Sequence, residues 1–259
     1  MSKLLYMETI EDKKKSLITF KHTGMQGTNL VDSAERNIIL NKLYKQFWND
    51  LININFPEHD GKIKNFCGEW TKFNEKFQPL FLSTFMPYVD AKEQCINIWK
   101  KFRGNCGEIY GEWFFRYGDC AEIEQSTYST IDPDNENFTD ATAESSEDGF
   151  PIGIQIKNWT TEISFDVFKS AGAQITQTAM NLCRQDSNID LNNYFKIGTC
   201  RQIVFSTSAR IWNKAMDIDN WLENGLIKFI GPKDIDAYMQ KFTKDKFKKQ
   251  ITEKIISKL

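Results

Sequence analysis

The sequence predicts an α/β protein with a mixed central sheet flanked by helices, preceded by a helical N-terminal region. Short β-branched runs such as Ile152, Ile154 and Ile156 are typical of buried strands. Residues 166–184 carry apolar side chains at helical spacing between two such runs. Strands that alternate with helices in this way are typical of α/β folds.

Residues 1–100 predict a mostly helical region. Residues 32–35 resemble a capping box, and an apolar stripe follows it at Ile39, Leu43, Phe47 and Leu51. An aromatic tract then forms one helical face up to a break expected near Pro79; its members are Phe66, Trp70, Phe73, Phe77, Phe81 and Phe85. Core packing and a surface that stacks on bases or binds a partner are both open interpretations of this tract.

A β-hairpin is predicted around the turn signal Asp148-Gly149. If these two residues are the centre of the turn, Asp140 lies directly opposite Lys157. Gln155 shares the face of Lys157 because side chains alternate along a strand. An acid, a carboxamide and a lysine therefore meet at one point of the sheet.

This combination of side chains suits metal-assisted hydrolysis of a phosphodiester. The Asp140 carboxylate and the Gln155 side-chain oxygen are hard ligands of the kind that Mg²⁺ prefers. The Lys157 ammonium could orient the attacking water or stabilise charge that develops on phosphorus.

Asp140 followed by Gln155-Ile156-Lys157 resembles the core motif of the PD-(D/E)XK nuclease superfamily, in the Gln-x-Lys form of Mrr-type restriction endonuclease domains. The resemblance implies a glutamate on the helix before the hairpin, which is predicted at residues 105–117. Glu112 is the first choice because it precedes an apolar run, and Glu108, one turn earlier, is the alternative. The implied catalytic residues are Glu112, Asp140, Gln155 and Lys157, with the first three as metal ligands.

The order of elements extends the resemblance, which implies a restriction-endonuclease-like domain over residues 101–240. A crossover helix at 166–184 precedes a strand at 201–208, a helix at 211–224, a strand at 226–230 and a further helix. Two features depart from the family pattern. Gln155 replaces the commoner acid, and the stretch between Glu112 and Asp140 is long. Either this stretch contains an insertion, which we favour, or Asp132 or Asp134 belongs to the site.

Residues 241–259 predict a basic amphipathic helix. With a net charge of −2, the chain has no general affinity for nucleic acid, so contacts with DNA must come from local clusters. Lys244, Lys248 and Lys249 are the candidates for phosphate contacts, and a solvated lysine face is the alternative.

Bulk properties predict a cytoplasmic protein without a membrane anchor. No apolar run approaches the length of a membrane helix, and the N-terminus lacks the apolar stretch of a secretion signal. The six cysteines are scattered and include no Cys-x-x-Cys pair, which argues against a disulfide framework or a zinc site.

Together these patterns predict a DNA endonuclease that depends on Mg²⁺ or Mn²⁺. The alternatives are a catalytically silent nucleic-acid-binding or assembly protein on the same fold, and a Holliday junction-type resolvase. The resolvase would require a homodimer.

Overall fold

The computed structural model of the chain describes residues 34–118, 120–130, 139–158, 165–207 and 222–259. Its first part is a layer of three helices, with a short hairpin between the first two and a 3-10 turn, Met86–Tyr88, after the second. The elements of this layer are α1 (Ala34–Leu51), β1 (Glu58–His59), β2 (Lys62–Ile63), α2 (Phe66–Phe85) and α3 (Lys92–Tyr117).

A five-stranded mixed sheet follows, with its strands in sequential order. β3 (Ile123–Thr130), β4 (Ala141–Ser145) and β5 (Pro151–Lys157) pair antiparallel, whereas β5, β6 (Gln202–Ser206) and β7 (Ile227–Ile230) pair parallel. The α-helices described in the second half of the chain are α4 (Phe165–Gln185), α5 (Leu191–Tyr194), α6 (Pro232–Met239) and α7 (Lys244–Lys254), and a 3-10 turn, Ile256–Lys258, follows α7. Because β5 and β6 are parallel, α4 lies in the crossover between them. The predicted α/β class and mixed sheet are confirmed.

Helices cover both faces of the sheet. On one face, Ile152, Ile154 and Ile156 belong to a large buried core that also includes side chains of α1, α2, α3, α6 and α7. On the other face, Val204 packs in a smaller core with apolar residues of α4, among them Val167 and Phe168. The alternation of side chains along each strand therefore divides the sheet residues between two cores.

The aromatic tract lies in the larger core. All six of its members are buried, which confirms core packing and removes the base-stacking interpretation. The predicted break at Pro79 was wrong, because α2 continues through this residue to Phe85. Pro79 is exposed, so the carbonyl that loses its helical N–H partner faces the solvent side. The aromatic residues on both sides of it pack in the same core and hold the helix together.

α3 begins earlier than predicted. It starts at Lys92 instead of residue 105, and it ends at Tyr117 as predicted. Gly118 follows in an extended conformation, and a Cβ at this position would lie 2.3 Å from the Phe114 carbonyl oxygen. The expected boundary between residues 100 and 101 lies inside α3, and one core joins the helical layer to the sheet.

Several predictions fall outside the described residues: the first half of the capping box at 32–35, Asp132 and Asp134, and residues 211–221 of the helix expected at 211–224. In the described part of the chain, no helix is long and apolar enough to cross a membrane. All six cysteines are free.

Candidate functional site

The hairpin that carries the site is shifted by two residues from the predicted register. Ala141 pairs with Ile154, whereas a turn centred on Asp148-Gly149 would pair it with Ile156. The difference arises because the turn contains four residues, 146–149, instead of two. The backbone N–H of Ser145 donates to the carbonyl oxygen of Phe150, so these two residues are the last pair before the turn. A shift of two residues keeps every side chain on its predicted face. Continued by one residue, the observed register places Asp140 level with Gln155.

Asp140 and Lys157 come together at the end of the β4–β5 pairing. The Lys157 Nζ lies 3.6 Å from Asp140 Oδ2, and both side chains are about one-fifth exposed. The two residues are diagonal neighbours in the observed register, which the long lysine side chain can span. The backbone N–H of Ile156 also donates to Asp140 Oδ2, at 2.5 Å. The Asp140 carboxylate, one residue before β4 begins, therefore extends the hydrogen bonding between β4 and β5.

The helix α3 determines which glutamate faces this point. A Cβ on Gly107 would lie 2.3 Å from Asn158 Cβ, and a Cβ on Gly111 would lie 2.7 Å from Ile156 Cδ1. α3 thus passes the end of β5 near residue 107 and continues over the interior of the sheet. Glu108 is therefore the glutamate level with the end of β5, where Lys157 lies.

Glu112, our first choice from the sequence, has a different environment. It is buried, and the Nε of Arg116 donates to its Oε1 at 2.7 Å. The guanidinium carbon of Arg116 in turn lies 5.0 Å from the centre of the Tyr128 ring. Glu112 is thus held in a buried ion pair one turn beyond Glu108, and we assign the acidic position of the site to Glu108.

The electrostatics of Glu108 connect it to the hairpin. Partial burial, and then the negative charge of Asp140, raise the pKa of Glu108 to about 8, against the opposing effect of Lys157. Burial also raises the pKa of Asp140, while Lys157 and the Ile156 N–H oppose this rise. Two carboxyl groups and one ammonium therefore influence each other, and a proton is readily held on Glu108 near neutral pH.

Gln155 completes the predicted set. It is buried on β5, where it pairs with Val204 of β6, and it lies on the face that Lys157 shares. Over the described ranges of the chain, no three His, Cys, Asp or Glu side chains are grouped so that they could hold a metal ion. A cation at this point would depend on the two carboxylates and the Gln155 amide, with water as the further ligand.

Asn158 was missed by sequence reasoning. Its Oδ1 accepts hydrogen bonds from Trp70 Nε1 at 2.9 Å and Thr207 Oγ1 at 3.0 Å, and its Nδ2 donates to the Arg103 carbonyl at 2.8 Å. One buried amide thus ties the end of β5 to α2, α3 and the end of β6. The only signal in the sequence was a polar residue directly after Lys157 on an apolar strand.

The C-terminal lysines have contacts of their own. The predicted amphipathic helix is confirmed, with Phe247 and Ile251 buried on its apolar side. Lys244 Nζ donates to Asn55 Oδ1 at 2.7 Å, and Lys248 Nζ donates to Asn53 Oδ1 at 3.0 Å. Lys249 lies 3.9 Å from Glu253 of the same helix. The contacts of Lys244 and Lys248 fasten α7 to the segment after α1. The phosphate contacts expected of these lysines stay a prediction.

No family model, no curated protein and no solved structure matches the chain.

Proposed function

We propose that the chain is a metal-dependent endonuclease that hydrolyses phosphodiester bonds in DNA. The observation that carries this proposal is the pairing of Asp140 with Lys157 at 3.6 Å, on a hairpin whose end lies beside a glutamate of raised pKa. The order of elements around it, a helix, an antiparallel hairpin, a crossover helix and a parallel strand, supports the PD-(D/E)XK resemblance.

The donor set suits a hard divalent cation. Glu108 and Asp140 would supply carboxylate oxygens and Gln155 an amide oxygen, and Mg²⁺ or Mn²⁺ accepts such ligands together with water. When bound, the cation would supply positive charge to the phosphate and lower the pKa of a bound water. Burial, and then the negative charge of Asp140, raise the pKa of Glu108, and the positive charge of a bound cation would oppose both effects.

Lys157 would act on the reacting groups. Its side chain is only one-fifth exposed, so a limited set of positions is open to the ammonium. From there it can hold the attacking water or stabilise charge on the phosphate oxygens as the transition state forms. The strand that carries Lys157 is anchored directly after it by Asn158, which provides the rigid placement that this role needs.

Incubation of the protein with supercoiled DNA, with Mg²⁺, with Mn²⁺ and with a chelator, tests the proposal. We expect nicked and linear products with either cation and none with the chelator. Asp140→Asn should abolish these products. A wild-type protein that leaves DNA intact under all conditions would contradict the assignment.

The same assay compares the two glutamates. Glu108→Gln should reduce the cleavage rate by at least about a hundredfold, as expected for loss of a cation ligand. Glu112→Gln should act mainly through stability, because it weakens the buried pair with Arg116. Rates are therefore compared at a temperature where circular dichroism shows both variants folded. Equal losses of cleavage rate in the two folded variants would contradict the assignment of the acidic position to Glu108 rather than Glu112.

A catalytically silent nucleic-acid-binding protein is the second candidate. The residue that favours this second candidate is Gln155, because its neutral amide occupies a position where a carboxylate would bind a cation more strongly. Gln155→Glu distinguishes the two candidates. In a nuclease, the added carboxylate should move the Mg²⁺ dependence of cleavage to lower concentration. In a silent protein, calorimetry should show no cation binding by the wild type.

A further inference from the structure

α3 is closed to solvent around the site except at one position. Between residues 105 and 115, every side chain is buried apart from Glu108, which is partly exposed. One and two turns earlier on the same side of the helix, Gly104 and Lys101 are also partly exposed. The three positions form a strip, here called the α3 strip, that leads from solvent to the site.

Gly104 leaves this strip open. A Cβ built at this glycine meets no atom of the described residues within 4 Å. At Gly107 and Gly111, by contrast, such a Cβ would collide with Asn158 and Ile156. The absence of a side chain at Gly104 is therefore unrelated to close packing against the described residues. The open space at Gly104, between Lys101 and Glu108, is here called the passage.

Lys101 borders the passage with a charge that is poorly compensated. Burial lowers the pKa of Lys101, and among the described residues no acidic side chain forms an ion pair with it. Partial burial of an ammonium is costly unless an anion accompanies it. Lys100, the preceding residue of α3, is exposed to solvent.

Building on the proposed nuclease function, we infer that the α3 strip is the path by which one DNA strand reaches Asp140 and Lys157, and that Lys101 contacts a phosphate of that strand. Seven residues of helix separate Lys101 from Glu108, which is about 10 Å at 1.5 Å per residue. The phosphate contacted by Lys101 is thus near the reacting one and distinct from it.

The test measures binding separately from cleavage. Fluorescence anisotropy of a labelled DNA duplex is recorded in a chelator at several salt concentrations. Lys101→Ala should weaken binding about 3- to 10-fold and lower the slope of log affinity against log salt by about 0.9, the loss of one phosphate contact. Lys100→Ala has the same charge change on a different side of the helix and should stay within about twofold of the wild type.

Gly104 provides a second, matched pair of variants. Gly104→Gln and Gly104→Glu add side chains of similar size to the passage, and the Cβ of either one meets no atom of the described residues within 4 Å. Because a carboxylate repels phosphate, the Glu variant should bind DNA at least about threefold more weakly than the Gln variant. This comparison of the two Gly104 variants tests the inference even if Lys101→Ala fails to fold.

The outcomes separate the inference from the proposed function. If the wild type cleaves DNA while Lys101 and Lys100 variants bind it equally and the two Gly104 variants do not differ, the path is wrong and the nuclease assignment stands. If the wild type neither binds nor cleaves DNA, both are wrong. Selective losses at Lys101 and in the Gly104 carboxylate variant would establish the path.

Discussion

At the scale of single residues, three glycines of α3 differ in what surrounds them. Gly104 faces open space, Gly107 lies against Asn158, and Gly111 lies against the end of the Ile156 side chain. Only the last two allow the helix to approach β5 closely. Since Asn158 is fixed by three hydrogen bonds, it has little freedom to move away from an added methyl group at Gly107.

Alanine substitutions should therefore have opposite effects at two of these positions. Gly104→Ala should raise the free energy of unfolding by about 0.5–1 kcal/mol, since a glycine inside a helix is unfavourable relative to alanine. Gly107→Ala should lower it by about 1–3 kcal/mol through overpacking. Urea unfolding followed by circular dichroism measures both. A gain in stability at Gly107 would contradict the close contact with Asn158.

The raised pKa of Glu108 predicts how stability depends on pH. The ordinary pKa is 4.5, and in the folded chain it rises to about 8, so the folded state holds the proton more tightly between these values. The favourable contribution is complete below the ordinary pKa and is lost as pH rises towards 8. The Glu108→Gln variant has no carboxyl group at this position, so it does not lose this stability as the pH rises. Between pH 5 and pH 9, the variant should gain on the order of 1–3 kcal/mol relative to the wild type.

Unfolding in a chelator at several pH values measures this difference. Parallel stability curves for the wild type and Glu108→Gln would show that the pKa of Glu108 is not raised in the folded chain.

Glu108 and Glu112 also show where residue-level prediction from sequence ends. The two lie one turn apart on the same side of α3, and the sequence favoured Glu112 because apolar residues follow it. The sequence does not reveal where the helix crosses the hairpin. That crossing is set by the contacts of Gly107 and Gly111, and it brings Glu108 to the end of β5.

At the scale of elements, the β4–β5 hairpin is anchored through its turn. Asp148 forms an ion pair with the buried Arg201, with Oδ2 2.6 Å from Nη2. The same guanidinium donates to the carbonyls of Tyr194 and Asn193, and it lies about 5 Å from the rings of Phe150 and Tyr194. The turn is thereby fixed to the segment that precedes β6.

Two neighbouring acids of this turn should differ in importance. Asp148→Ala leaves the buried Arg201 charge without its carboxylate and should cost about 2–4 kcal/mol. Glu147→Ala removes an exposed pair with Lys196 and should cost less than about 0.5 kcal/mol. Thermal or urea unfolding of both variants provides the comparison. Equal costs would show that the turn is not anchored through Arg201.

Elements were predicted well where local pattern determines them. The apolar spacing of α4 and the Gly118 stop after α3 were read correctly. The start of α3 was missed because Ala91 at its N-cap provides no capping side chain. The hairpin register was displaced because the sequence does not state the number of residues in the turn. The register was wrong by two residues, an even number, so Asp140 and Lys157 still lie on the sheet face that was predicted for them.

At the scale of the whole molecule, one core connects the helical layer to the sheet. Aromatic side chains of α2 contact those of α3 and α7, for example Phe66 with Tyr110 and with Phe247. The sequence suggested a boundary near residue 100 because the motif begins after it. Packing between residues so far apart in the chain leaves no local pattern, so the continuity of the core could not be predicted.

This continuity makes the helical layer part of the support of the site. Trp70 of α2 donates to Asn158, the residue after Lys157. The placement of Lys157 thus depends on a helix that the sequence had assigned to another region.

The central claim is that Lys157, beside Asp140 and Glu108, acts on a phosphodiester. Single-turnover cleavage of supercoiled DNA by Lys157→Ala in Mg²⁺ tests it most directly, with anisotropy and circular dichroism as measures of DNA affinity and folding. We predict that the cleavage rate falls by at least about a hundredfold while the fold is kept and DNA affinity changes by less than about tenfold. A Lys157→Ala variant that cleaves DNA at the wild-type rate would contradict the account.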